Sequence, residues 1–196
     1  KEKFMRGINF YIESFDGCAA TTEDFINSII KGSYPEEENP TFDVDKFNNW
    51  YYQPGTPKVY INQSWDANNS ILNVSFEQKL DRLIDDKNIE MVIPIIYSCY
   101  SSEKGAKAIV EEDLFVLDQN KKNLQIKASF CKNKPPILSL FRRFSSPVIW
   151  ESDLCIEDYL FLFLNDNDYF TRWNSGQFLM REMINKKINK QEINSL

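Results

Sequence analysis

The chain has 196 residues, a net charge of −6 at pH 7 and no histidine. Without histidine it cannot build a Ser-His-Asp or Cys-His nucleophile system, an HExxH zinc motif or any other His-ligated metal site. The acidic balance also argues against nucleic-acid binding, which normally needs a basic surface. Since 42% of the residues are hydrophobic, we expect a folded protein. Because it lacks histidine, we expect that this chain is not a catalyst by itself.

Residues 1–55 carry mainly helical signals. Thr21 and Asp24 form a capping-box pattern, and apolar residues follow at helical spacing until Gly32. Asp43 can cap a second helix, which gives two helices in this stretch. The acidic run 36–38 between them could be a metal or partner patch, but no other ligand types lie nearby in the sequence. We therefore expect a solvated loop there.

Between residues 56 and 151 the hydrophobic period changes to two. Leu72, Val74 and Phe76, for example, alternate with polar neighbours. Pro94 lies inside one apolar run and indicates an edge strand or a bulge, because proline donates no ladder hydrogen bond. The pattern predicts an immunoglobulin-like β-sandwich of about seven strands, and its strand candidates are 59–61, 72–76, 91–99, 113–117, 124–130, 137–141 and 148–150.

Residues 152–196 return to helical spacing. Ser152 or Asp153 can cap a helix whose residues 159–164 are apolar on every side. Such a helix must be covered on every side, either by the sandwich or, as we favour, by further helices of a larger domain. The cluster 165–168 then breaks this helix and caps another, and it lacks the glycine and glutamate of an EF-hand calcium loop. The fold class is therefore mainly β, with a sandwich preceded by two helices and followed by two.

The four cysteines are widely spaced and form no CxxC pair. They are Cys18, Cys99, Cys131 and Cys155. We expect four buried free thiols in a cytoplasmic protein, since neither a redox pair nor a disulfide scaffold fits this spacing. The chain opens without the apolar segment of a secretory signal. Its longest strongly apolar run, 159–164, is also far shorter than the roughly 20 residues of a membrane span.

Few residues suggest chemistry. Acidic neighbours at 111–113 and at 85–86 could serve acid–base catalysis, but adjacent carboxylates on turns are usually just solvated. The basic residues at 186–187 complement the dipole of a helix C-terminus. Arg142 and Arg143 form too small a basic island for nucleic-acid affinity. No catalytic residue and no metal ligand is predicted in this chain.

Three separated motifs nevertheless occur in a distinctive order. They are RGINFY with DGCAATTEDF (6–11 and 16–25), FNNWYYQPGTP (47–57), and FSSPV with NDYFTRWNSGQ (144–148 and 167–177). In this order they resemble the aminopeptidase N (alanyl aminopeptidase) family of zinc metallopeptidases, in its bacterial and protozoan form. Phe15 departs from the family, whose members commonly have histidine there, and the loop 33–41 looks inserted.

The resemblance implies that the chain is a fragment of a four-domain enzyme. Residues 1–55 would be the C-terminal helices of the thermolysin-like catalytic domain, 56–151 the β-sandwich, and 152–196 the first helices of the C-terminal α-helical domain. The family's zinc ligands, its GxMEN motif and its catalytic tyrosine lie N-terminal to this stretch. The parent protein would use zinc to remove N-terminal amino acids from peptides, and no cofactor would bind within this chain.

The resemblance also implies a bracing role with five structural residues. Trp50, Tyr51 and Pro57 would fix the angle between catalytic domain and sandwich, and Phe170 and Trp173 would anchor the first helices of the last domain. The partners would be the remaining domains of the same polypeptide and the parent's peptide substrates, with no nucleic acid and no membrane span. One alternative is a stand-alone β-sandwich module that binds a protein, and another is a complete enzyme that uses carboxylates alone.

Overall fold

The computed structural model describes residues 2–34, 40, 42–81, 89–101, 107–129, 131 and 134–189. It divides into two compact units, Lys1–Pro54 and Gly55–Leu196. The acidic run 36–38 and the acidic pair at 85–86 lie outside the described residues, so their predicted roles stay predictions. The assignment of three domains to the chain likewise stays a prediction.

The described residues of the first unit form three helices, α1 (Glu2–Phe15), α2 (Thr22–Ser33) and α3 (Val44–Tyr52). The predicted caps are correct: Thr21 and Asp24 form a reciprocal capping box on α2, and Asp43 caps α3. The prediction of two preceding helices is wrong by one, because α1 also forms. Its central Gly7 disfavours a helix locally, but in the folded unit this glycine serves the packing of α1 on α2.

Glycines let the backbones of α1 and α2 approach each other closely. A Cβ atom on Gly7 would lie 2.6 Å from the carbonyl oxygen of Ile29, and one on Gly32 would lie 2.8 Å from the carbonyl oxygen of Arg6. The Arg6 guanidinium also donates to the carbonyl of Ser33 at 3.0 Å. The first motif therefore builds a tight helix pair.

In the second unit the described residues form seven strands in two sheets, which confirms the predicted sandwich. The strands are β1 (Lys58–Asp66), β2 (Ile71–Lys79), β3 (Ile93–Ser101), β4 (Lys107–Leu117), β5 (Lys121–Lys127), β6 (Ile137–Ser139) and β7 (Ile149–Ser152). Their order is β5-β2-β1-β7 in one sheet and β4-β3-β6 in the other. All pairs are antiparallel except β1 with β7. Phe76 of the first sheet stacks on Phe115 of the second at 4.8 Å in the core between them.

Pro94 lies in a central strand, so the edge-strand alternative is wrong for β3 as a whole. The other alternative, a bulge, occurs further along the same strand, where the pairing with β4 shifts register between Tyr97 and Tyr100. β3 has β4 on one side and β6 on the other, but β6 pairs only with residues 98–100. At Pro94 the second side of the strand is free of a neighbouring strand. There the hydroxyl of Ser146 donates to the proline carbonyl at 2.5 Å, so the missing N–H interrupts no ladder.

Two helices, α4 (Ile156–Asn165) and α5 (Tyr169–Ile188), follow the last strand. They pack on the second sheet through a shared apolar cluster, whose buried members are Tyr100, Ile137, Leu154, Tyr159, Leu162 and Leu179. Asp168 caps α5, as predicted. The predicted caps of α4 are wrong: the backbone N–H of Cys155 donates to Asp158, while Asp153 accepts from Gln63 of β1.

Candidate functional site

A strained turn joins β6 to β7 at the base of the sandwich. Phe141, Arg143 and Phe144 all have positive φ angles, between 52° and 56°, which costs on the order of 1–3 kcal/mol for each bulky residue. Residues Arg142–Phe144 form a single 3-10 turn. Such a conformation persists only when the surrounding contacts hold it, and those contacts converge on Arg142.

Arg142 is 2% exposed and reaches acceptors on three strands and one loop. Its Nη1 donates to Asp166 Oδ1 at 2.6 Å, to Ser139 Oγ at 3.1 Å and to the Tyr100 hydroxyl at 3.3 Å. Its Nη2 donates to Asn167 Oδ1, and its Nε lies 3.4 Å from Glu112 Oε2. We call these six residues the Arg142 cluster. Ser139, Tyr100 and Glu112 belong to β6, β3 and β4, whereas Asp166 and Asn167 belong to the connector between α4 and α5.

The connector is fixed from its own side as well. The backbone N–H of Asp166 donates to Leu162, which ends α4, and Asp166 Oδ1 accepts from the N–H of Asp168 at 2.8 Å. Asp168 caps α5 through Thr171 and also accepts the backbone N–H of Arg143 at 3.2 Å. One short loop therefore ties the ends of both helices to the strained turn.

The charge of the cluster is stabilised within the protein. Burial lowers the pKa of the Arg142 guanidinium, but the Asp166 carboxylate and the Tyr100 hydroxyl more than offset this effect and raise that pKa overall. Arg142 is therefore charged at every accessible pH.

Aromatic contacts extend the joint beyond the cluster. The ring of Phe144 lies 5.2 Å from that of Phe170, which in turn lies 5.8 Å from that of Trp173. Both parts of the third motif, 144–148 and 167–177, therefore meet in the folded unit. Phe170 and Trp173 are placed beside the turn, although Trp173 remains 58% exposed.

The other three predicted junction residues lie where the two units meet along the chain. Trp50 and Tyr51 belong to the last turn of α3 in the first unit, and Tyr51 is 48% exposed. Pro57 is buried at the start of the second unit, where its carbonyl accepts the N–H of Ile149 at 3.0 Å. Each residue is thus placed within its own unit, and the role of the three at the junction stays a prediction.

One face of α5 is not covered by the described part of the chain. Residues spaced seven or four positions apart are 51% to 71% exposed, and they are Trp173, Met180, Ile184 and Ile188. We call them the outer stripe. The buried face of α5 instead carries Thr171, Ser175 and Leu179. Phe163 and Leu164 of α4 are likewise exposed.

The acidic neighbours at 111–113 serve structure. Glu112 pairs with both Arg142 and Arg143, and Asp113 accepts the Tyr97 hydroxyl at 3.1 Å. Burial and this bond raise the pKa of Tyr97 to about 12. With these partners Glu112 fits structural ion pairs, and Asp113 fits a structural hydrogen bond, rather than an acid–base site.

The cysteines are all free, but the expectation that all four are buried is wrong. Cys99 and Cys131 are buried, whereas Cys18 and Cys155 are exposed, because both follow the ends of regular elements. Burial raises the pKa of the Cys99 thiol to about 12. Burial and the hydrogen bond to Asp158 raise that of Cys155 to about 11.

The residues that the structure describes do not fit a zinc site. The sequence has no histidine, and in the described ranges no three Cys, Asp or Glu side chains are grouped as metal ligands. Across the same ranges, no helix has the length and apolar character needed to cross a bilayer.

Sequence reasoning missed the Arg142 cluster. The sequence pattern indicates only a small basic island at Arg142 and a helix-breaking and capping role for the cluster that contains Asp166, and it assigns no role to Tyr100. The partners of Arg142 lie between 3 and 42 positions away, so no local pattern connects them. The available signal was the third motif itself, whose two parts flank the cluster.

Comparison with known proteins gives the chain a consistent set of relatives. Residues 55–153 match a family described as a domain of unknown function, DUF3458, with an Ig-like fold. Aminopeptidase N of Caulobacter vibrioides is 30% identical over 181 residues, 92% of this chain and 20% of that protein. Aminopeptidase N of Haemophilus influenzae is 25% identical over 193 residues, 96% of this chain and 21% of that protein.

A solved structure shares the fold over the whole chain. It is aminopeptidase A of Legionella pneumophila in complex with aspartic acid, with a TM-score of 0.81 and 24% identity. The match covers 100% of this chain and 21% of that one. The chain thus spans about a fifth of the length of the relatives it matches.

Proposed function

Because the chain belongs to the DUF3458 family of Ig-like domains and is homologous to aminopeptidase N, as its motifs predicted, we propose that it is a non-catalytic segment of a longer zinc aminopeptidase. The parent would remove N-terminal amino acids from peptides. Its zinc and its reacting groups would belong to other parts of the polypeptide, and this segment would hold the domains on either side of it in place.

One observation carries the bracing role. The Arg142 cluster fastens the ends of α4 and α5 to the sandwich, while the outer stripe of α5 is left exposed. A helix that is fixed on one face and apolar on the other fits an element that carries further helices of the same polypeptide.

Trp50, Tyr51 and Pro57 would serve the same purpose at the other end of the sandwich. Trp50→Ala should loosen that junction and lower the melting temperature of the intact protein. A melting curve unchanged by this substitution would count against the role.

A cytoplasmic location of the parent is part of the proposal. It is supported by the four free cysteines, since thiols persist in reducing compartments.

The outer stripe also fits the alternative, a stand-alone sandwich module that binds a protein through an apolar helix face. The coding sequence upstream of Lys1 separates the two. The aminopeptidase proposal expects an HExxH motif with a downstream glutamate within a few hundred residues in the same reading frame. A start codon directly before Lys1 would contradict the aminopeptidase proposal and favour the stand-alone module.

A further inference from the structure

The joint between sandwich and helices combines two kinds of contact. The apolar cluster around Tyr159 and Leu162 buries surface without strong directional preference. The Arg142 cluster is directional, because a planar guanidinium donates hydrogen bonds only along its N–H bonds. We infer that the Arg142–Asp166 pair is an orientation lock, which sets the direction in which α4 and α5 leave the sandwich, whereas the apolar cluster supplies the stability. This inference rests on the proposed bracing role and assigns it to one ion pair.

Burial explains why the pair should give orientation and not stability. The side chains of Arg142 and Asp166 are 2% and 0% exposed, so both charges lose their hydration on folding. Their attraction roughly repays this loss, and apolar residues of similar volume often serve stability equally well. What apolar residues cannot replace is the requirement that the connector sit where its acceptors meet the N–H groups.

The sandwich side of the lock is rigid. Positive φ angles on both sides of Arg142 fix the path of the backbone. Ser145 Oγ accepts the N–H of Ile96 at 3.1 Å, and Ser146 donates to Pro94, so β3 holds the end of the turn. The guanidinium therefore projects from a fixed base.

On the helix side of the lock, the connector between α4 and α5 is very short. Asp166 ends α4 and Asp168 caps α5, with one residue between them. A shift of the connector would turn both helices together. The outer stripe of α5 would then point in another direction, and whatever packs on it would move with it.

The exposed neighbour Arg143 provides a matched control. Its side chain is 68% exposed and pairs with Glu112 at 2.8 Å. It has the same charge as Arg142 and lies in the same turn, but it donates no side-chain bond to Asp166 or Asn167 among the bonds that fix the connector.

The test measures the direction of α5 by pulsed electron spin resonance. Nitroxide labels are placed at Asn69→Cys, in the exposed turn after β1, and at Asn185→Cys on α5, after Cys18→Ser and Cys155→Ser remove the exposed native thiols. The double variant R142M/D166L replaces the pair with apolar residues. The control variant is R143M.

We expect one narrow distance distribution for the labelled chain without further substitutions and for R143M. For R142M/D166L we expect a folded chain, by circular dichroism, whose distribution is shifted or about twofold or more broader. A folded double variant with the same distance distribution as the labelled chain without these substitutions would overturn the lock. So would an unfolded double variant, because the pair would then carry stability. No peptidase assay enters the experiment, so an inactive parent protein would leave the result intact.

Discussion

At the scale of single residues, two adjacent arginines show how burial decides a role. The Arg142 side chain is fixed by five interactions with strands and connector, whereas Arg143 reaches into solvent and pairs with Glu112. The sequence presents them as one basic dipeptide. Only the fold separates a buried structural cation from an exposed one.

Removing Arg142 alone should strongly destabilise the second unit. In Arg142→Met the Asp166 carboxylate stays buried without its cation, which costs about 3–5 kcal/mol. Arg143→Met should cost less than about 1 kcal/mol, because exposed ion pairs contribute little. Urea unfolding followed by circular dichroism measures both values. Equal stability of the two variants would contradict the role given to Arg142.

The exposed thiol of Cys155 should react slowly in spite of its accessibility. Its pKa of about 11, against an ordinary value of 9.0, leaves about a hundredfold less thiolate at pH 8. Alkylation of a Cys18→Ser variant by iodoacetamide should therefore be slow at pH 8 and accelerate up to pH 11. A rate at pH 8 equal to that of a free cysteine peptide would contradict the raised pKa. The buried Cys99 should react only after unfolding.

At the scale of elements, sequence patterns predicted those strands and helix ends that depend on interactions between neighbouring residues. The alternation of Leu72, Val74 and Phe76 predicts a strand, and the pair Thr21 and Asp24 predicts the start of α2, because neighbours in sequence settle both. The helix α1 escaped prediction because Gly7 disfavours a helix locally and is explained only by its contact with α2. The Arg142 cluster escaped for the same reason, since its members come together only through the sheet.

Gly7 should therefore resist a substitution that normally stabilises helices. Alanine in an exposed helix gains about 1 kcal/mol over glycine, but at Gly7 its Cβ would meet the Ile29 carbonyl oxygen at 2.6 Å. We expect Gly7→Ala to destabilise the first unit by about 1–3 kcal/mol through overpacking. Ser14→Ala, at an exposed position of α1, is the control. Urea unfolding in which Gly7→Ala gained stability would show that α1 and α2 do not pack this tightly.

At the scale of the whole molecule, two observations support the proposed role as a segment that braces other parts of a longer polypeptide. It has a sandwich core and no histidine, and it exposes an apolar stripe on α5, a helix that the Arg142 cluster ties to the sandwich. The homology to the two aminopeptidases N covers nearly all of this chain but about a fifth of each of them. Both observations agree with a segment that works within a longer polypeptide.

The outer stripe should contribute to the free energy of unfolding only in a protein in which other residues pack on it. In the chain alone, Trp173→Ala should change the free energy of unfolding by less than about 1 kcal/mol, because the side chain is largely exposed. In the intact polypeptide the same change should cost about 3–5 kcal/mol, as for a buried tryptophan. Lys187→Ala, at an exposed position of α5, should be neutral in both. Equal effects of Trp173→Ala in the two proteins would mean that nothing packs on the stripe.

The most direct test of the central claim is an aminopeptidase assay of the intact polypeptide beside this chain. Both are incubated with an alanyl fluorogenic substrate and added zinc, with and without a chelator. The account predicts chelator-sensitive release of the fluorophore by the intact polypeptide and none by the chain alone, because the chain has no histidine. Turnover by the purified chain that survives chelation, or an intact polypeptide that releases nothing, would contradict it.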